Sequence, residues 1–325
     1  MQLSNDPAEI ALAFDVKDQD DKPIAKLSWL LQRDPNRAKL WAARAGCFAA
    51  RNEPEKAAAD FDRALSLIPV VKGTWHADRE GIDDQIVPLD DVFNHLVKLR
   101  PKDVSLWIAR SRRFAHLGQF RDAAAAAAKT LELDPTDVWS WFHDAPLRLQ
   151  LDDIDGYRRD CGEMLKRFGD TGDPNLANLT ALTCLLRPDA QQDLKPVRRL
   201  AELIVTNTEG EGVHRWFLTV RGLADYRAGQ FTPAIEWLNR VAPDPKGDSL
   251  DATAFVVLAM ARHQKGQSAE AGTALARAQN LLEQRLHQLD IRGGPFNSWN
   301  DWLRCQILAR EAEVLITGKV SPATK

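Results

Sequence analysis

The chain has 325 residues, 44% of them hydrophobic and 27% charged, with a formal net charge of −3; this is the make-up of an ordinary globular protein. Such a balance excludes the electrostatic pull of a nucleic-acid or anionic-membrane binder, and nowhere do the roughly 18 apolar residues of a spanning helix run together. Cys47, Cys161, Cys184 and Cys305 are far apart with no CxxC pair, so they read as reduced, buried thiols of a cytoplasmic protein.

Residues 1–23 form an acidic lead-in or cap without the basic start of a secretory signal. Asp15, Asp18, Asp20 and Asp21 suggest a calcium loop, but counting from Asp15 the glycine position holds Asp20 and the closing glutamate position holds Lys26. The segment therefore reads as a solvated acidic loop. Residues 24–35 supply one helix, expected to pack onto the first full repeat.

That repeat is plain in the sequence. The stretch 52-NEPEKAAADFDRALSLIP-69 returns 66 residues later as 118-GQFRDAAAAAAKTLELDP-135, and upstream Trp41, Arg44 and Phe48 return as Trp107, Arg110 and Phe114. Prolines at 35, 69, 101 and 135 mark the half-step. A period in the range of 20–50 residues is the signature of a stacked array. Each unit reads as two helices: the first starts near a Trp with apolar residues at helical spacing, a turn comes next, and the second ends where a proline disfavours helix in the residue before it.

These residues carry a resemblance. Trp41, Ala45, Phe48, Ala57, Phe61, Ala64 and Pro69 match the signature of the tetratricopeptide repeat, and Trp107, Phe114, Gly118, Ala123 and Pro135 repeat it, with Ala127 and Thr130 where Phe and Ala are usual. The resemblance implies an all-α fold, a right-handed α–α superhelix of helical hairpins that binds proteins or peptides in its concave groove. Residues 24–136 would hold these units, including a degenerate one over 70–103 that starts at Trp75. The six consecutive alanines (123–128) then read as a helix of high intrinsic propensity that lets neighbours approach closely. Ala123 is expected to resist a bulky substitution, and Ala126 and Ala128, taken as solvent-facing, to tolerate one.

Residues 137–209 continue as degenerate hairpins, with a turn at Leu151-Asp152-Asp153 and helices near 174–186 and 194–207. Residues 210–284 hold two more units turning at Ala228-Gly229 and at Gly266, and 285–325 a C-terminal capping helix (298–317, amphipathic) and tail, since a stack must hide its open end. Over roughly 100–315 the chain also resembles the repeat regions attached to bacterial serine/threonine kinases and WD40-repeat proteins. That likeness implies an accessory signalling module; the kinase and WD signatures themselves are absent.

Catalytic signatures are absent too. No HExxH, zinc-spaced Cys/His set, phosphate loop, GxSxG or kinase motif occurs, so no enzyme, metal or cofactor is expected. The groove register of the resemblance selects Lys39 with Ala42 and Gly46 in the first unit, then Ser105, Ile108, Arg112 and His116, then Trp139 and Phe142. Ala42 and Gly46 replace the Lys and Asn of a carboxylate clamp. What remains is a cationic flank and an aromatic patch, suited to a peptide with an acidic and an apolar anchor; self-association through helix faces is the other partner expected.

Overall fold

The computed structural model describes residues 22–51, 53–67, 97–98, 100–190, 193–206, 215–241, 247–292 and 299–318. Nearly all of the lead-in 1–23, the degenerate unit around Trp75, and Pro69 lie outside them. Among the described residues every regular element is a helix: α1 Lys22–Arg33, α2 Ala38–Ala50, α3 Pro54–Ser66, α4 Val104–His116, α5 Phe120–Leu133, α6 Val138–Gln150, α7 Ile154–Phe168, α8 Pro174–Leu185, α9 Lys195–Thr206, α10 Arg215–Arg227, α11 Phe231–Asn239, α12 Ser249–Gln264, α13 Ser268–Arg292 and α14 Trp299–Thr317. They fall into two compact units, one holding α1–α4 and the other α5–α14.

Short-range chemistry explains where the helices start and stop. Asp103, Asp137, Asp153 and Asp173 each accept backbone N–H bonds from the first turn of the helix they precede, and Asp248 forms a reciprocal capping box with Asp251; each satisfies donors the helix leaves unpaired. Between paired helices the chain passes through a left-handed residue: Gly118 at φ +70°, Asp152 at +59°, Gly229 at +73° and Gly266 at +76°. Glycine takes that conformation without a Cβ penalty, and Asp is among the few other residues that tolerate it. The repeated Trp–Pro spacing also has a cause. The indole Nε1 of Trp41, Trp107 and Trp141 donates to the carbonyl of Pro35, Pro101 and Pro135 at 2.8, 2.9 and 2.9 Å. One side chain thereby pins the end of the preceding segment to the start of the next helix.

In the N-terminal unit, Leu27 and Leu31 of α1 pack on Leu40, Ala43 and Cys47 of α2. On the other side of α2, Ala45 meets Ala57 and Phe61 of α3, and Leu106 of α4 closes the cluster. Arg44 crosses from α2 to Asp60 of α3 with two hydrogen bonds, 2.6 and 2.8 Å, and lies over the Trp41 and Phe48 rings.

In the C-terminal unit the first helices of successive hairpins, α6, α8, α10 and α12, pack side by side as an inner layer, and α7, α9, α11 and α13 pack outside them. Residues 177–185 of α8 are all buried, as expected of the middle of such a stack. On α5 the alanines divide by face: Ala123, Ala126 and Ala127 are buried with Thr130 and Leu131, while Ala125 and Ala128 are exposed. This is the stripe of an amphipathic helix, and it corrects the expectation for Ala126, which is 1% exposed. Tolerance to a bulky side chain is left to Ala128.

Candidate functional site

The groove residues selected from the sequence divide between the two units. Ser105, Ile108, Arg112 and His116 recur every three or four positions along α4 and so share one face; Ser105 is exposed, Ile108 and Arg112 are half-buried. The side chains of Lys39 on α2 and His116 are outside the described set. Trp139 and Phe142 lie on α6 of the other unit and touch edge to face at 5.5 Å. Trp139 is half-buried, but Phe142 is 2% exposed, and what covers it is the protein's own last helix.

Helix α14 packs on α12 and α13 and also crosses back to α6. The Arg304 guanidinium lies 3.4 Å from the centroid of the Phe142 ring and donates to the Phe142 carbonyl at 2.5 Å. Its ion pair with Asp301 measures 2.9 Å. Further along α14, Arg310 donates to Gln150 at the end of α6, 2.9 Å. Glu311 pairs in bidentate fashion with Arg227 at the end of α10, one of the two bonds measuring 2.7 Å, and Glu313 accepts from Gln279 of α13. Trp299 stacks at 6.0 Å on His143, which stacks in turn on Trp139 at 6.1 Å. Helix α14 thus packs against the inner layer as well as the last hairpin. An amphipathic cap would keep a solvent face; between 299 and 316 only Val314 is exposed.

Electrostatics agree with enclosure. Burial pulls the Arg304 guanidinium down to about 10, with Asp301 opposing, and pushes the Cys305 thiol up to about 12. Arg227 differs: besides Glu311 it donates to the carbonyls of Leu185 and Leu186, at 3.0 and 3.2 Å, where α8 ends. Those are the unpaired carbonyls at the negative end of a helix, so they hold the cation with its free edge toward α14.

A second charged cluster lies between α6 and α7. Asp144 occupies the repeat position that Arg44 holds in the first unit, and it faces Asp160, the counterpart of Asp60. Arg148, one turn along α6, reaches between them: its Nε donates to Asp144 at 2.6 Å, lies 2.5 Å from Asp160, and its Nη1 donates to Asp153 at 2.7 Å. A single N–H serves one acceptor well, and a second buried carboxylate beside the first favours its protonated form. Burial, followed by the hydrogen bond to Asp144, raises Asp160 to about 8, and burial raises Asp144. Perturbed carboxylates often mark catalytic sites; these two are buried within the hairpin, and one oxygen of each, Asp144 Oδ1 and Asp160 Oδ2, has no hydrogen-bond partner. No group of His, Cys, Asp and Glu able to hold a metal occurs among the described residues, and no described helix is long and apolar enough to cross a membrane.

Sequence reasoning missed Arg227, Arg304 and Glu311. The available signal was the spread of apolar residues almost all round 299–316, the mark of a helix buried on more than one side.

Helical hairpins in two layers, left-handed turn residues at one repeat position and the Trp–Pro bond define an α–α hairpin-repeat protein. No protein-family model matches the chain and no curated protein matches it in sequence. Among solved structures it is similar to yeast Tom70, with 18% identity, covering 90% of this chain and 58% of that one at a TM-score of 0.37. It is also similar to a tetratricopeptide repeat protein from Parabacteroides merdae, with 13% identity, covering 84% and 92% at a TM-score of 0.43. The chain therefore spans less than two thirds of the Tom70 chain.

Proposed function

We propose that the protein is a non-catalytic scaffold of the tetratricopeptide type that binds a partner protein or peptide through the inner faces of its first helices. The observation that carries this reading is α14. The C-terminal unit holds this helix against its inner layer and α13 through a cation on an aromatic ring, a bidentate carboxylate and side-chain amides; a helix laid on a surface made by other helices is the arrangement of helix-in-groove recognition. In the N-terminal unit Arg112 of α4 would supply a cation for an acidic anchor and Ile108 an apolar contact; Trp139, in the other unit, would supply a separate aromatic contact. The buried free cysteines fit a reducing, cytoplasmic setting. The likeness of 100–315 to modules attached to bacterial kinases and WD40 proteins makes a signalling assembly the context.

The test is a pull-down with wild type beside the Arg112→Ala/Trp139→Ala double variant. A protein retained by wild type and lost by the variant supports the reading. Equal retention removes these residues from the binding surface, and no retained protein at all counts against the scaffold. A thermal shift with nucleotides or metal ions would instead favour an enzyme.

A further inference from the structure

We propose that the inner layer of the C-terminal unit is a helix receptor closed by its own C-terminal helix, and that its partner is an amphipathic helix presenting a cation and, two turns later, a carboxylate. The inference rests on the scaffold reading and names the chemistry of its occupant. Arg227 carries the argument. Its side chain is 2% exposed and is held by two carbonyls of α8 that owe nothing to α14. Lifting α14 away removes Glu311 and uncovers Arg227, leaving a cation still positioned by the two carbonyls on the vacated face. The site is thus preorganised for a carboxylate, and arginine takes one in fork-to-fork geometry.

The second anchor is Phe142, whose ring face accepts the Arg304 guanidinium while its carbonyl accepts the hydrogen bond. Residues 304 and 311 are seven apart, about 10 Å along a helix, and seven residues return a helix to nearly the same face. An incoming helix with Arg or Lys and a later Glu or Asp at that interval would satisfy both anchors. Gln150 and Gln279 add uncharged contacts that many side chains can meet. The resident helix competes with the partner, so apparent affinity falls with the fraction of molecules in which α14 is undocked.

The experiment uses the full-length chain and a fluorescent peptide of residues 299–318 as the helix probe. Glu311→Gln in the protein weakens docking of its own helix and leaves Arg227 intact. Peptide binding is expected to tighten by about tenfold or more over wild type, and a peptide carrying the same Glu311→Gln change should lose it. Equal binding to both proteins, or none to either, overturns the proposal. Hydrogen exchange on the wild type gives a separate reading whether or not the variant folds. Amides of 299–317 should exchange through an opening that leaves 249–264 protected; if both segments exchange only together, α14 is a fixed part of the core and the proposal fails. In that event a partner still captured by wild type and lost by the Arg112/Trp139 variant leaves the scaffold reading standing.

Discussion

Replacing Asp160 by Asn tests the reading of the buried carboxylate pair. The folded-state value of Asp160 is raised to about 8, whereas an unfolded Asp titrates near 3.9. The native state therefore keeps a proton that the unfolded chain releases. A group raised in this way contributes stability that is complete below the unfolded value and is lost as pH rises through the folded one, so the window runs from about pH 4 to pH 8. One proton held across pH 5 to 8 is worth at most about 4 kcal/mol. Wild type is expected to lose stability steadily over this range. The amide in D160N carries no titrating proton yet still offers an N–H to Asp144, so the variant should show a flatter profile and match or exceed wild type at pH 8. The assay is the urea midpoint of both proteins at half-unit steps of pH, compared as a difference so that histidine titration cancels. Parallel profiles from pH 5 to 8 would mean that Asp160 is ionised throughout, and the account of a protonated Asp160 would be wrong.

Trp41→Phe, Trp107→Phe and Trp141→Phe each delete one Nε1–carbonyl bond while keeping most of the ring. Each is expected to cost about 0.5–1.5 kcal/mol in chemical denaturation, the part-buried Trp141 bond the most. Ala126→Leu forces a larger side chain into a buried seam and should cost about 1–3 kcal/mol, while Ala128→Leu, on the exposed face of α5, should stay within about 0.5; equal effects would refute the assignment of faces. At Gly222 of α10 an added Cβ would lie 2.7 Å from Leu238 Cγ and 3.3 Å from the Ala234 carbonyl of α11. Gly222→Ala should therefore cost about 1–3 kcal/mol, and the double change with Leu238→Ala should be less than additive, as melting temperatures of the cycle would show.

The fold was legible because its determinants are local. Trp and Pro six residues apart are close enough to bond once the turn between them forms, so the pair appears in the sequence as a spacing and in the structure as a contact. Glycines at 118, 229 and 266 marked turns through their permitted φ, and Asp152 did so less openly because an aspartate has many other uses. Faces of a single helix were less certain: with alanine at six consecutive positions of α5 there is no polar residue to phase the stripe, and Ala126 falls on the buried side instead of the solvent side. The reversal at Asp144, a carboxylate where the first unit has Arg44, was visible in the repeat register, but the return of Arg148 from one turn along could only be seen in three dimensions.

The site was hidden for a different reason. Phe142 fell at a groove position by counting from Trp141, and in the structure it is buried under Arg304 of α14. Whether an inner-layer side chain is open depends on what the rest of the chain sends there. Arg304 reaches Phe142 across 162 residues of sequence, Arg310 reaches Gln150 across 160, and Arg227 meets Glu311 across 84. None of these pairs belongs to a repeat, since α14 has no counterpart in any other hairpin among the described residues. A periodic sequence reports what each hairpin does to its neighbours; it carries no record of an aperiodic segment that fills the space they enclose. The one local trace is on α14 itself, whose apolar residues exceed what capping a single hairpin requires. A terminal helix of that kind has to find a second surface, and in an array of hairpins the inner layer is the surface available.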